Sequence, residues 1–120
     1  MVKRKIAVAT NGKNGLKDTV SNVFGRAKTF TIVDTDEEKI LSVSVLANPA
    51  LSYAHGAGPI AIKTLIDAGV EMVIANELGV GASEILKQHN VSYIQAKPDT
   101  NAGDAIENAL RTHKKLSRTS

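Results

Sequence analysis

Residues 69–82, GVEMVIANELGVGA, decide the fold of this chain, because a mostly apolar run is followed by a glycine-rich loop and then a helix. The run Val70–Ala75 predicts a central strand covered on both faces, since such strands read as nearly continuous hydrophobic stretches. Residues 76–81 predict the loop after it. Apolar residues at helical spacing then predict a helix that ends near Asn90.

Four more strands are predicted, three before this segment and one after it. A charged turn at residues 36–39 joins two of them into a hairpin. Alternation in the returning strand places three aliphatic side chains on one side and two serines on the other. The predicted strands are Lys5–Thr10, Thr29–Thr35, Ile40–Leu46 and Val91–Ala96.

Two further helices are predicted, one before the central strand and one at the end of the chain. Pro59 suits a first helical position because it lacks the N–H that would be unpaired there, and Gly69 suits the position after the helix. The last helix has acidic residues early and basic residues late, which complements the helix dipole. Its apolar face comprises Ala102, Ala105, Ile106, Ala109 and Leu110.

The order β-β-β-α-β-α-β-α predicts a single α/β domain over residues 1–120, with a five-stranded mixed sheet in the order 3-2-1-4-5. Four strands then end at the same edge of the sheet, which we call the rim. Three helix N-termini are expected to point toward it. The loops that form the rim are predicted to be 11–22, 47–58, 76–81 and 96–101.

The rim is predicted to favour an anionic ligand, because helix N-termini present free N–H groups and partial positive charge. Glycines before two of the helices let the backbone approach a ligand closely. Each pair taken alone favours a turn or a helix cap, and it is their convergence at the rim that favours a ligand contact. The predicted ligand-binding residues are Asn11, Arg26, Asn48, His55, Gly56, Gly58, Asn76, Gly79 and Gly81.

Three side chains at the rim have alternative interpretations. His55 is predicted to ligate a metal or to bond an anion, or else to bond the backbone as an ordinary loop histidine. Arg26 is predicted to pair either with Asp34 or a loop carbonyl, or with an anionic ligand. Glu77 is the carboxylate best placed for a function, while Asp99 and Asp104 are predicted to cap or complement the last helix.

Composition excludes several classes of protein. The chain has no cysteine, so disulfides and thiolate-ligated metal sites are excluded. It has no apolar run long enough for a secretory signal or a membrane span, which predicts a cytoplasmic protein. A net charge of +3 and four aromatic residues give little support for nucleic-acid binding, although the basic termini leave a nucleic-acid or protein interaction module as an alternative function.

No residue set demands catalysis, so the chain is predicted not to be an enzyme. The predicted sheet resembles that of ribonuclease-H-like nucleases, which bind two divalent metals through clustered carboxylates. The first of those acids lies in the first strand, where this chain has only KIAVAT, residues 5–10. No Ser-His-Asp or Cys-His arrangement is apparent either.

Several motifs together resemble the nitrogenase iron–molybdenum cofactor biosynthesis accessory family over nearly the whole chain. They are VFGRA (23–27), FTIVD (30–34), Asn48-Pro49, HGAG (55–58), GVEMVI (69–74) and Leu78-Gly79. The resemblance implies a ribonuclease-H-like fold without nuclease acids that binds or carries iron–molybdenum cofactor or an iron–sulfur precursor. It also implies a cluster-assembly or acceptor protein as partner. Val23 stands where cofactor-carrying relatives often have a histidine, the suspected ligand.

Overall fold

A computed structural model describes residues 3–53 and 55–118, with side chains described as far as residue 112. The described residues form one five-stranded sheet in the order β3-β2-β1-β4-β5, which confirms the predicted order. Of these strands, β2 alone runs against the other four. The strands are β1 (Lys3–Thr10), β2 (Thr29–Asp36), β3 (Lys39–Ala47), β4 (Met72–Ala75) and β5 (Ser92–Gln95), and the helices are α1 (Ala57–Asp67), α2 (Val80–Gln88) and α3 (Ala102–Arg118).

The sheet lies between two layers of helix. Helices α1 and α2 pack on one face, and α3 packs on the other. All four residues of β4 are buried, as the apolar run in the sequence predicts for a strand covered on both faces. Two short 3₁₀ turns, Gly15–Lys17 and Pro49–Ser52, lie in loops that the sequence predicts, and a third, Phe24–Arg26, follows the predicted loop 11–22.

Helix α1 begins at Ala57, two residues before the predicted start at Pro59. Proline is therefore the third helical residue, where its missing N–H still removes a donor that has no partner within the helix. The helix is preceded by Gly56 at φ 74° and followed by Gly69 at φ 87°, a left-handed conformation that favours glycine. The predicted helix end at Gly69 is confirmed.

Strand boundaries differ from the prediction where neighbouring segments compete for backbone hydrogen bonds. The N–H of Val70 donates to Leu65, and the N–H of Val91 donates to Leu86, so both residues belong to helix ends rather than strands. Strand β1 instead begins two residues earlier than predicted, because β2 continues to pair with it as far as Lys3.

Strand β3 is the edge strand, and it is exposed on both faces. The aliphatic side chains that the sequence predicts on one side, Leu41, Val43 and Val45, are 54%, 43% and 39% exposed. The core on the α3 side includes residues of β1, β2 and β4, but among buried residues it includes none of β3. A bulge interrupts the pairing of β3 with β2 at Leu41.

None of the helices described here combines the length and the apolar character needed to cross a bilayer.

Candidate ligand-binding rim

Helices α1 and α2 begin side by side at the rim, and glycines allow the close approach. A Cβ atom added to Gly25 would lie 3.0 Å from the backbone nitrogen of Gly58, so the Phe24–Arg26 turn packs directly on the start of α1. A Cβ atom added to Gly81 would lie 3.3 Å from Cγ of Pro59. Two of the predicted glycines, Gly58 and Gly81, thus lie at close contacts, and Gly25 provides the partner of Gly58.

Both helices have a glycine at the N-cap, Gly56 for α1 and Gly79 for α2. Glycine has no side chain to accept hydrogen bonds from the first-turn N–H groups, so no N-cap side chain occupies these donors. Gly56, Gly79 and Gly81 are exposed. The two helix starts thus present uncapped N–H groups on the same face of the sheet.

The N-terminus of α3 differs from the other two. The side-chain oxygen of Asn101 accepts the N–H of Asp104 at 3.0 Å, and the N–H of Ala102 donates to the carbonyl of Asp18 at 2.8 Å. The N-terminus of α3 therefore lies at the rim, but two of its first-turn donors, the N–H groups of Ala102 and Asp104, already have partners. Asn101 caps this helix, while Asp104 lies in its first turn.

His55 and Arg26 lie beside the start of α1. The imidazole of His55 is exposed and directly precedes the N-cap glycine. Arg26 donates from Nη1 to the carbonyl of Tyr53 at 3.0 Å, which is the contact with a loop carbonyl that the sequence left as one alternative. We name Arg26, His55–Gly58 and Gly79–Gly81 together the α1–α2 site.

Asn48 is buried, and its side chain is fully used within the protein. It donates to the carbonyls of Gly25 at 3.2 Å and Ala27 at 2.8 Å, and it accepts the N–H of Ala50 at 2.9 Å. An amide with both N–H groups and its oxygen engaged holds the Phe24–Arg26 turn in place. Its position is next to the α1–α2 site, beneath Gly25.

Asn76 is held at the end of β4 by contacts that the sequence analysis missed. Its carbonyl accepts the hydroxyl of Tyr93 and the amide of Gln95, each at 3.1 Å. Its own amide donates to the carbonyl of Asn22 at 3.0 Å. Burial raises the pKa of Tyr93 above its ordinary value. Tyr93 and Gln95 are two positions apart in β5, and this spacing in the sequence indicates that their side chains lie on the same face of the strand.

Asn11 belongs to a second group of contacts. Its side chain donates to the hydroxyl of Thr19 at 2.9 Å, and Thr19 pairs with Asn101 at the start of α3. The contacts around Asn11 and the contacts around Asn76 meet where Val23 pairs with Glu77. The predicted residues therefore line one edge of the sheet, but Asn11 lies with α3 rather than with the α1–α2 site.

Exposed apolar side chains adjoin the α1–α2 site, and the sequence analysis did not identify them. Val80, the first residue of α2, is 82% exposed, and Val23, Leu51 and Tyr53 are also exposed. The signal for Val80 was its place between two glycines, outside the apolar spacing that defines the buried face of α2.

The α1–α2 site offers hydrogen-bond donors, namely one imidazole and the backbone N–H groups of two helix starts. In the described parts of the chain, no three His, Cys, Asp or Glu side chains come together as a metal site. His55 and the backbone N–H groups of the α1–α2 site can instead hydrogen-bond to acceptor atoms on the surface of a larger anion.

The basic residues Lys3–Lys5 lie at the opposite end of the strands from the rim, because β1 begins with them and runs toward the rim. Lys5 donates from Nζ to the carbonyl of Ala68 at the end of α1 and lies 3.9 Å from Asp34. Arg111 lies 3.8 Å from Glu107. His113, Lys114 and Lys115 lie outside the described side chains. Lys5 thus complements the end of α1 and a nearby carboxylate, and Arg111 lies near a carboxylate of its own helix.

Solved structures with this fold include the apo form of the orange protein from Desulfovibrio gigas, at 25% identity and a TM-score of 0.82 over 91% of this chain and 88% of that one. A candidate NifB protein from Thermotoga is 33% identical, with a TM-score of 0.73 over 90% of this chain and 88% of that one. An uncharacterised protein of Methanocaldococcus jannaschii is 27% identical over 73 residues, which span 61% of this chain and 62% of that protein.

The family model described as dinitrogenase iron-molybdenum cofactor matches residues 4–112. The matched region contains β2 to β5, α1, α2 and almost all of β1, and therefore the whole α1–α2 site. The chain belongs to the dinitrogenase iron-molybdenum cofactor family.

Proposed function

We propose that this protein is a non-catalytic carrier that binds an anionic metal cluster, iron–molybdenum cofactor or an iron–sulfur precursor of it, at the α1–α2 site. Membership of the family supports a cofactor-binding or carrier role in general. The observation that carries the specific proposal is that α1 and α2 begin side by side with glycine N-caps.

The physical reason is electrostatic. Each helix N-terminus has a partial positive charge that stabilises a nearby anion by about 0.3–1 kcal/mol, and by up to about 2 kcal/mol where the site is partly buried. Two adjacent N-termini add their fields, and the Arg26 guanidinium beside α1 has the same sign. The glycines keep side chains out of the way, so that the N–H groups can reach the cluster surface.

The side chains around these N–H groups have separate roles in the proposal. The imidazole of His55 reaches the cluster as a ligand or as a hydrogen-bond donor. The exposed side chains of Tyr53 and Val80 cover part of the cluster and reduce its contact with water. A cluster-assembly or acceptor protein exchanges this cargo at the rim, in a reducing cytoplasm that suits a cysteine-free chain.

The test is an anaerobic titration of the purified protein with isolated iron–molybdenum cofactor, followed by visible absorption. We expect a saturable spectral change. The His55→Ala variant should bind about tenfold more weakly, since one hydrogen bond to a charged group contributes about 1.5–3 kcal/mol. His89→Ala is the matched control, because His89 is exposed at the opposite end of α2 and should leave binding unchanged.

Absence of any saturable change with the unaltered protein would contradict the carrier function. Equal binding by the His55→Ala and unaltered proteins would keep the function and remove His55 from the site. Equal weakening in both histidine variants would show that the loss has no connection with the α1–α2 site.

A further inference from the structure

Strand β3 has a free edge along its nine residues. It pairs with β2 on one side, and no other strand of the described sheet lies on its outer side. An edge strand presents alternate unpaired N–H and C=O groups, which another strand can bond. Proteins commonly protect such an edge with charges, prolines or a β-bulge; in β3 the one charge is Lys39 and the bulge is at Leu41, so residues 42–46 have none of these devices.

The sequence of β3 is nearly the same when it is read backwards. In the segment ILSVSVL, residues 40–46, the serines stand on either side of Val43 and aliphatic residues follow outward in both directions. An antiparallel partner with the same sequence places serine opposite serine and aliphatic residue opposite aliphatic residue along this whole segment. A symmetric dimer interface has this property, because the same patch must complement itself across a twofold axis.

We propose that two copies of this chain associate by antiparallel pairing of β3 with β3, with Val43 of each copy at the twofold axis. Leu41 then lies opposite Val45 of the second copy, and Ser42 lies opposite Ser44 of the second copy. Cross-strand aliphatic pairs and hydroxyl pairs each stabilise such an arrangement. The pairing covers aliphatic side chains that are 39–54% exposed in the single chain.

Charge and register favour this arrangement over others. Parallel in-register pairing would place Lys39 opposite Lys39 of the second copy, whereas antiparallel pairing places it opposite Ala47. A shift by two residues, to a centre at Ser44, would place Ser42 opposite Leu46. The bulge at Leu41 lies away from the centre, so residues 42–44 keep a regular register with β2.

The proposed interface leaves the α1–α2 site of each copy uncovered. Because the strands are antiparallel, the rims of the two copies lie at opposite ends of the joined ten-stranded sheet. A single strand pair buries less than the roughly 1,600 Å² of a standard stable interface. We therefore expect a dimer that forms with rising concentration rather than one that persists on dilution.

The test uses single cysteines in a chain that has none of its own. In the proposed dimer, residues 43 of the two copies are directly opposite, at a Cα separation of about 4.5–5.5 Å that suits a disulfide. Residues 45 of the two copies are four positions apart, which is roughly 13 Å along the strand. Val43→Cys is therefore the test variant and Val45→Cys its matched control.

At about 100 μM protein under mild oxidation, Val43→Cys should form disulfide dimers roughly tenfold faster or more than Val45→Cys, because aligned thiols meet at millimolar effective concentration. Sedimentation velocity of the unaltered chain should show a dimer fraction that rises with concentration. Equal cross-linking rates for the two variants would overturn the antiparallel pairing. A monomer at every concentration would overturn the association itself, whatever the variants do.

Discussion

Replacement of Phe24 by alanine is expected to lower the free energy of unfolding by about 3–5 kcal/mol, the usual range for removing a buried phenylalanine ring. Phe24 is 1% exposed, and its ring centroid lies 5.2 Å from that of Phe30. Its N–H also donates to the carbonyl of Glu77 at 3.0 Å. The ring thus fixes the turn that carries Gly25 and Arg26 to the α1–α2 site.

The measurement is equilibrium unfolding in urea followed by far-ultraviolet circular dichroism, since the chain has no tryptophan. Val23→Ala is the matched control, because Val23 is the preceding residue but is exposed, and its truncation should cost less than about 1 kcal/mol. Similar losses in the two variants would mean that the ring of Phe24 does not anchor this turn. Since small domains have a total stability of about 5–15 kcal/mol, Phe24→Ala should leave a marginally stable fold.

Replacement of Asn48 by alanine is expected to cost about 3 kcal/mol, because buried groups left without a partner cost about 1–3 kcal/mol each. The change removes the donors to the carbonyls of Gly25 and Ala27 and the acceptor for the N–H of Ala50. Asn48→Asp should be at least as destabilising, although it has nearly the same shape, because a carboxylate repels the two carbonyls that the amide holds.

Urea unfolding of the two Asn48 variants checks this expectation, with Asn14→Ala as control. Asn14 precedes a short 3₁₀ turn, is exposed, and makes no side-chain cap, so its truncation should change stability by less than about 0.5 kcal/mol. If Asn48→Ala were as stable as the control, the buried amide would have no structural role, and its placement near the rim would need another explanation.

The strand order could be predicted from the sequence because hydrophobic patterning and the handedness of crossovers leave few alternatives. The apolar run of β4 and the glycine that ends α1 are local patterns. The first predicts a strand covered on both faces, and the second predicts a helix end. Strand ends were less predictable. Val70 and Val91 read as strand residues, but their N–H groups bond to the ends of α1 and α2 instead.

The candidate site was only partly predictable, because its character depends on which groups are already satisfied. A glycine before a helix is compatible with a turn, a helix cap or a ligand contact. Only the three-dimensional packing distinguishes these roles, as it does where Gly25 lies against Gly58 at the start of α1. In the sequence, Asn48 and Asn101 look the same as an exposed asparagine whose amide is free to bind a ligand. Their burial or capping contacts arise from distant segments, so no local pattern identifies them.

In the proposed function the uncapped N-terminus of α2 helps to hold an anion, so a negative charge placed at Gly79 should weaken binding. Gly79 has extended backbone angles, φ −67° and ψ 162°, and a Cβ added there meets no atom within 4 Å. Aspartate therefore fits as an N-cap and should raise the free energy of unfolding by about 0.3 kcal/mol, since glycine is itself a tolerated N-cap residue. It also occupies the free N–H groups and adds a negative charge beside the proposed cargo.

Asn101→Asp is the matched control, because it adds the same charge at the N-cap of α3, where the N–H groups of Ala102 and Asp104 already have partners. The decisive measurement is the affinity of these two folded variants for iron–molybdenum cofactor under anaerobic conditions. We predict that Gly79→Asp binds at least about tenfold more weakly than the unaltered protein, while Asn101→Asp binds equally well. Undiminished binding by a correctly folded Gly79→Asp variant would mean that the N-terminus of α2 does not help to hold the cluster.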